Sequence, residues 1–109
     1  MVFEIGTSFT PPLAVLRLKG ELDLNTVNAI VWALDEAIDT GCILVGVDLS
    51  GVSFIDCSGI GALIGAMHRL NAASAELCVH RVSPEVSRML KLTGTDVLFG
   101  VADLTPARG

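Results

Sequence analysis

Ser58 stands in the stretch of this chain best arranged for chemistry on a hydroxyl: Val47-Asp48-Leu49-Ser50-Gly51-Val52-Ser53-Phe54-Ile55-Asp56-Cys57-Ser58-Gly59-Ile60-Gly61. An apolar, strand-like run ends in a turn, and the serine follows at the start of a helix. The first backbone N–H groups of a helix have no intrahelical partner and carry partial positive charge. A serine among them can cap the helix, and it can also carry a phosphate where an anion is tolerated. The sharper reading makes Ser58 a switch residue on a protein-binding surface. The plainer one makes it an ordinary N-cap.

Enzymatic uses of this segment fail on individual residues. Gly59-Ile60-Gly61-Ala62-Leu63-Ile64 approaches the dinucleotide fingerprint, but Ile64 occupies the third glycine position. A nucleophile elbow centred on Ser58 would need glycine where Asp56 and Ile60 stand. There is no P-loop, no pair of carboxylates in an evident cleft and no base placed to activate the serine. Asp48 ends a central strand, as the phospho-accepting aspartate of a receiver domain does, but no acidic pair closes the first strand. His68 and His80 lack metal-ligand spacing with the cysteines. Ser58 therefore reads as a substrate for modification. The chain is expected to be no enzyme and to use neither cofactor nor metal.

The helix that begins at Ser58 carries a second feature. Ser58, Ala62, Gly65 and Arg69 fall on one line, with Gly61 beside it, opposite an apolar stripe of Ile60, Leu63, Ile64, Met67 and Leu70. Each interior glycine costs a helix about 1 kcal/mol relative to alanine. Small residues in a row leave a smooth strip where another backbone can come close, either that of a partner or that of the domain's own neighbouring helix. Asp56 adjoins Ser58, and Asp23 is expected at the same edge of the fold. A phosphoryl group on Ser58 adds about −1.5 to −2 charges at pH 7. It would concentrate like charge and bulk at the mouth of the strip without unfolding the domain.

The strand and helix order that positions these residues is readable from period and punctuation. Phe3–Thr10 and Leu13–Lys19 read as strands joined by a Pro11-Pro12 turn, with Gly20 ending the second. Asn25-Thr26 offers a cap for a helix running to Asp39, with Val27, Ile30, Val31, Leu34 and Ile38 on its apolar face. Ile43–Leu49 is a near-continuous apolar run, as expected of a strand buried on both faces. The Ser58 helix extends to about Ala72, and Glu76–Val82 is a strand. Ser83-Pro84-Glu85 opens a last helix ending near Gly94, and Val97–Val101 offers a short final strand. The class is α/β: a mixed, mainly parallel sheet of four to five strands with an N-terminal hairpin, packed with three to four helices.

At 109 residues the chain makes one domain over 1–109, with the tail Thr105–Gly109 expected to fray. A hydrophobic content of 51% argues against disorder. The net charge of −5 disfavours nucleic acid or anionic membrane as main partner, since both need a basic footprint. There is no signal-peptide start and no apolar run long enough for a membrane span. Cys42, Cys57 and Cys78 are an odd number without C-x-x-C spacing, which suits a reduced cytoplasmic protein, monomeric when free. Cys42 and Cys78 read as core residues. Cys57 reads either as a small filler or as a redox-sensitive thiol beside the serine. Trp32, the sole tryptophan, projects from the polar side of the first helix and either anchors an interface or lies flat on the surface.

Five motifs in order give the chain a resemblance over nearly its whole length: Leu18-Lys19-Gly20-Glu21-Leu22-Asp23, Asp48-Leu49-Ser50-Gly51-Val52, Phe54-Ile55-Asp56-Cys57-Ser58-Gly59-Ile60-Gly61, Ser83-Pro84-Glu85-Val86, and Leu92-Thr93-Gly94 with Leu98-Phe99. It resembles a stand-alone STAS domain of the bacterial anti-sigma-factor antagonist family. The resemblance implies that the unphosphorylated protein binds an anti-sigma factor that is also a serine kinase, freeing a sigma factor. It also implies that the kinase phosphorylates Ser58 with ATP and that a separate phosphatase reverses this. Asp23 and Asp56 match the family's acids beside the target serine, whereas Cys57 departs from the Ser or Thr common there. The small-residue strip and these motifs together give the expected partner-binding surface: Asp23, Asp56, Cys57, Ser58, Gly59, Gly61, Ala62, Gly65 and Arg69. The alternative is a small STAS subunit docking on the ATPase of a lipid transporter or a relative of transporter regulatory domains.

Overall fold

The computed structural model describes residues 3–99. Strands β1 (Glu4–Thr10) and β2 (Leu13–Leu22) form an antiparallel hairpin across the cis Pro11-Pro12 turn. The chain continues through a 3₁₀ turn (Leu24–Thr26), helix α1 (Val27–Asp39), strand β3 (Leu44–Ile55), helix α2 (Cys57–Ala72), strand β4 (Glu76–Val82) and helix α3 (Pro84–Thr93). The sheet order is β1-β2-β3-β4, with β2–β3 and β3–β4 both parallel. This is the mixed sheet with an antiparallel hairpin edge that the strand–helix alternation predicts.

Period-2 alternation along β2 buries Ala14, Leu16, Leu18 and Leu22, while Leu13, Arg17 and Lys19 stay exposed. In β3, Val45, Val47 and Leu49 are buried, but Leu44 is exposed and Gly46 and Asp48 are only half-buried. The expectation that this strand is covered on both faces is corrected. Its apolar run conceals an alternation, with the large β-branched and leucine side chains on the covered side and weak positions on the other. Cys78 of β4 is exposed for the same reason, so it is not a core residue. Cys42 is buried, but in the loop before β3, where its thiol donates to Leu13 O at 3.4 Å.

Both central strands outrun their expected ends. Gly20 does not stop β2; with φ of +107° it carries the chain through an irregular stretch of the ladder, and pairing resumes to Leu22↔Ile55. Ser50, Gly51 and Ser53 are likewise strand residues, with the Ser53 hydroxyl donating to Gly20 O at 3.3 Å. The polar composition there marks a bulge at a sheet rim instead of a loop. The Asp48 carboxyl is held below the ordinary carboxylate range. Partial burial pushes it up, but hydrogen bonds from the Ser50 hydroxyl and N–H, together with Arg81 and His80, outweigh that.

The last helix follows its sequence signals closely. Ser83 caps α3 by accepting from Val86 N–H at 3.2 Å, its own hydroxyl donates to Val52 O at 2.6 Å, and Gly94 closes the helix in the left-handed conformation. Val97–Phe99 lie in a turn, not a strand; 100 and 101 of that expected strand, and the tail 105–109, fall outside the described residues.

One junction sets where α2 begins. β2 and β3 end together at Leu22↔Ile55, and Asp56 N–H donates to Leu22 O at 3.4 Å, leaving a single residue between β3 and the helix. Gly59 is buried in this corner. A Cβ there would run into the Leu22 carbonyl oxygen and stand 2.9 Å from Ile55 Cγ1. Gly59→Ala is therefore expected to destabilise the domain by about 1–3 kcal/mol, read as a lower urea midpoint.

Candidate functional site

Asp56, not Ser58, caps α2: its Oδ1 accepts from Gly59 N–H at 2.9 Å. Ser58 is the second residue of the helix, half-buried at the mouth of a cleft between α1 and α2. Among the described residues its hydroxyl has no hydrogen-bond partner. Asp23 plays a matching part at the end of β2. Its Oδ1 accepts from Asn25 N–H at 2.9 Å, and its own N–H donates to Thr26 Oγ1 at 3.0 Å. The cap expected at Asn25-Thr26 is thus supplied by Asp23, and it serves the 3₁₀ turn before α1. The paired strand ends set the two acids side by side in the fold, each following one member of the Leu22↔Ile55 pair.

The cleft encloses about 350 Å³. Its α2 wall is Ser58, Gly61, Ala62, Gly65 and Arg69, the strip seen in the sequence, and its other wall is Leu24, Val27 and Val31. Leu24 stands at the rim, 74% exposed. A Cβ on Gly61 or Gly65 would meet nothing within 4 Å, so internal packing does not call for glycine at either position. Gly59, expected on the same surface, differs: it is buried and acts as a spacer under the helix.

At the far end Arg69 bridges the helices. Its Nε and Nη2 donate to Asp35 Oδ1 and Oδ2 at 2.8 and 3.0 Å, a bidentate pair on the surface. The hydrogen bond from Arg69 and its charge hold the Asp35 carboxyl below its ordinary value and raise the guanidinium's own. Sequence reasoning placed Arg69 here but missed Asp35, Leu24, Val27 and Val31. Val27 and Val31 had read as core. The buried face of α1 is instead turned toward Ile30, Ala33, Leu34 and Ala37, where alanines let the helix sit close on the sheet.

Cys57 is exposed at the first helical position beside Ser58. His68 and His80 are exposed on separate elements, and among the described residues no His/Cys/Asp/Glu cluster could hold a metal ion. No described helix is long and apolar enough to cross a membrane.

The STAS domain family matches residues 4–106. This chain belongs to that family. The STAS domain is 32% identical over 90 residues to an anti-sigma F factor antagonist of Paenibacillus polymyxa, covering 82% of this chain and 77% of that protein. It is 30% identical over 105 residues to an anti-sigma-B factor antagonist of Staphylococcus aureus, covering 96% of this chain and 97% of the relative. Among solved structures it is similar to the phosphorylated form of the Bacillus cell fate determinant SpoIIAA, with a TM-score of 0.64 and 28% identity over 88% of this chain and 86% of that one.

Two results would test this description of the cleft. Gly61→Ala and Gly65→Ala should each stabilise the STAS domain by about 0.5–1 kcal/mol in urea unfolding, the opposite sign to Gly59→Ala. In Arg69→Ala, the Asp35 carboxyl should titrate at a higher pH, returning toward 3.8, when followed by NMR. Because the native carboxyl is depressed, its pairing contributes at neutral pH and is lost as the pH falls through that depressed value.

Proposed function

We propose that this STAS domain is an anti-sigma factor antagonist: unphosphorylated, it binds an anti-sigma factor that is also a serine kinase, and phosphorylation of Ser58 switches that binding off. The observation that carries the reading is the Ser58 hydroxyl, unengaged among the described residues, at the mouth of a cleft whose α2 wall is kept bare by two glycines the fold does not need. Interior glycines cost helix stability, and a close-approaching partner surface accounts for keeping them. The names of the relatives agree with this, as does a phosphorylated form of the structural neighbour SpoIIAA.

In this proposal the partner's helix or loop lies over Gly61, Ala62 and Gly65, with Cys57 and Ser58 at one end and Arg69 at the other. Asp23 and Asp56 contribute their second carboxylate oxygens and hold the strand ends that aim the serine. Transfer of the ATP γ-phosphoryl group to Ser58 Oγ is the kinase's chemistry; this chain supplies only the acceptor hydroxyl. The product adds about −1.5 to −2 charges at the cleft mouth, two residues from Asp56 and at the sheet end that Asp23 also follows. The positive N-terminus of α2 tolerates the anion, so docking is lost while the fold is kept. A separate phosphatase restores the binding form.

Ser58→Ala should bind the anti-sigma kinase of the same genome constitutively, and Ser58→Asp should bind at least about tenfold more weakly, both with unchanged circular dichroism. Equal binding by the two variants would overturn the electrostatic switch. Failure of the kinase and ATP to phosphorylate Ser58, or to form a complex with the unmodified chain, would overturn the assignment itself. Gly65→Leu should weaken the complex while leaving the isolated domain folded.

A further inference from the structure

We propose that the flank of α1 facing β1 is a second docking site, for an extended basic segment of another protein that lays a lysine or arginine side chain on Trp32. The flank is opposite the one that faces α2, so this site stands apart from the Ser58 cleft. Between α1 and β1 lies an open cleft of about 630 Å³, floored by Ile5 and Ala33 and edged by Thr7, Asn28 and Glu36, with the Trp32 indole as one wall. Trp32 is 80% exposed, the most exposed large hydrophobic among the described residues. Beyond it is a second hollow of about 340 Å³ lined by Trp32, Asp35, Glu36, Asp39 and Thr40.

Charge complementarity selects the occupant. The residues lining the two hollows include three acids and no base. Asp35 is paired with Arg69, which leaves Glu36 and Asp39, about one and two turns beyond Trp32 on α1, as the acids of the two hollows without a cation partner among the described residues. A cation over an indole is attracted by the ring quadrupole, and flanking carboxylates add to this. The apolar floor takes an aliphatic side chain from the same segment. Among the described residues β1 is an edge strand, so alternate N–H and C=O groups along Glu4–Thr10 have no strand partner there on their outer side. An extended chain can pair there and present basic and aliphatic side chains in alternation.

The test uses the full chain and two seven-residue peptides, Arg-Ile-Lys-Val-Arg-Ile-Lys and its acidic counterpart Glu-Ile-Asp-Val-Glu-Ile-Asp. Trp32 is the only tryptophan, so emission reports this site directly. The basic peptide should give a saturable emission change and amide shifts confined to β1 and to Asn28–Asp39, and the acidic peptide neither. Measured by amide shifts, affinity should fall at least about tenfold in Trp32→Ala and about threefold in Glu36→Gln, and stay unchanged in Ser58→Asp. No saturable response, an equal response to the acidic peptide, or undiminished affinity in Trp32→Ala overturns the proposal. So do shifts that map to the Ser58 cleft. Concentration-dependent shifts on β1 without peptide overturn it in favour of a second copy of this chain.

Discussion

The corner where β2, β3 and α2 meet governs the rest of the site. Parallel pairing brings Leu22 and Ile55 to the same level, and the Leu22 carbonyl then receives the Asp56 N–H while Gly59 packs against it. A strand entering a helix through one residue has little freedom, because the extended φ and ψ of Asp56 must deliver both the last ladder contact and the first capping bond. Ser58 owes its position to that constraint. It is carried two residues past the cap, with its hydroxyl left for something other than holding the helix.

Asp56, two residues before Ser58, and Asp23, at the paired strand end, have structural duties of their own. Asp56 and Asp23 each satisfy a backbone N–H with one carboxylate oxygen, so they are needed for the local fold whatever binds there. In the proposed switch, negative charge held in these caps would repel a partner more strongly once a phosphate is added beside it. The far end of the cleft is held by the Arg69–Asp35 pair, which ties α1 to α2 across an otherwise sparsely filled gap. An exposed pair of this kind contributes little stability.

Much of this was legible from residue order. The hairpin, β4 and α3 followed from punctuation by Pro11-Pro12, Ser83-Pro84 and Gly94, where local chemistry and tertiary structure agree. The strip from Ser58 to Arg69 followed from helical spacing alone. The misreadings cluster where local signals have two meanings. Gly20 looks like a stop but sits in an irregular stretch of the β2–β3 ladder, where pairing shifts register and then resumes to Leu22↔Ile55. Val27 and Val31 look like core but line the cleft, since α1 is rotated to set Ala33 and Ala37 toward the sheet.

By itself, the order of residues determined the alternation of strands and helices, the hydroxyl at a helix start and the run of small residues along one face. These depend on period, propensity and capping within a few neighbours. Only the folded chain decided which carboxylate caps which helix, which glycine is a spacer and which is bare, and that α1 offers separate clefts on its two flanks. Those outcomes depend on atoms distant in sequence, such as the Leu22 carbonyl against Gly59 or Asp35 against Arg69, and a local pattern carries no record of them.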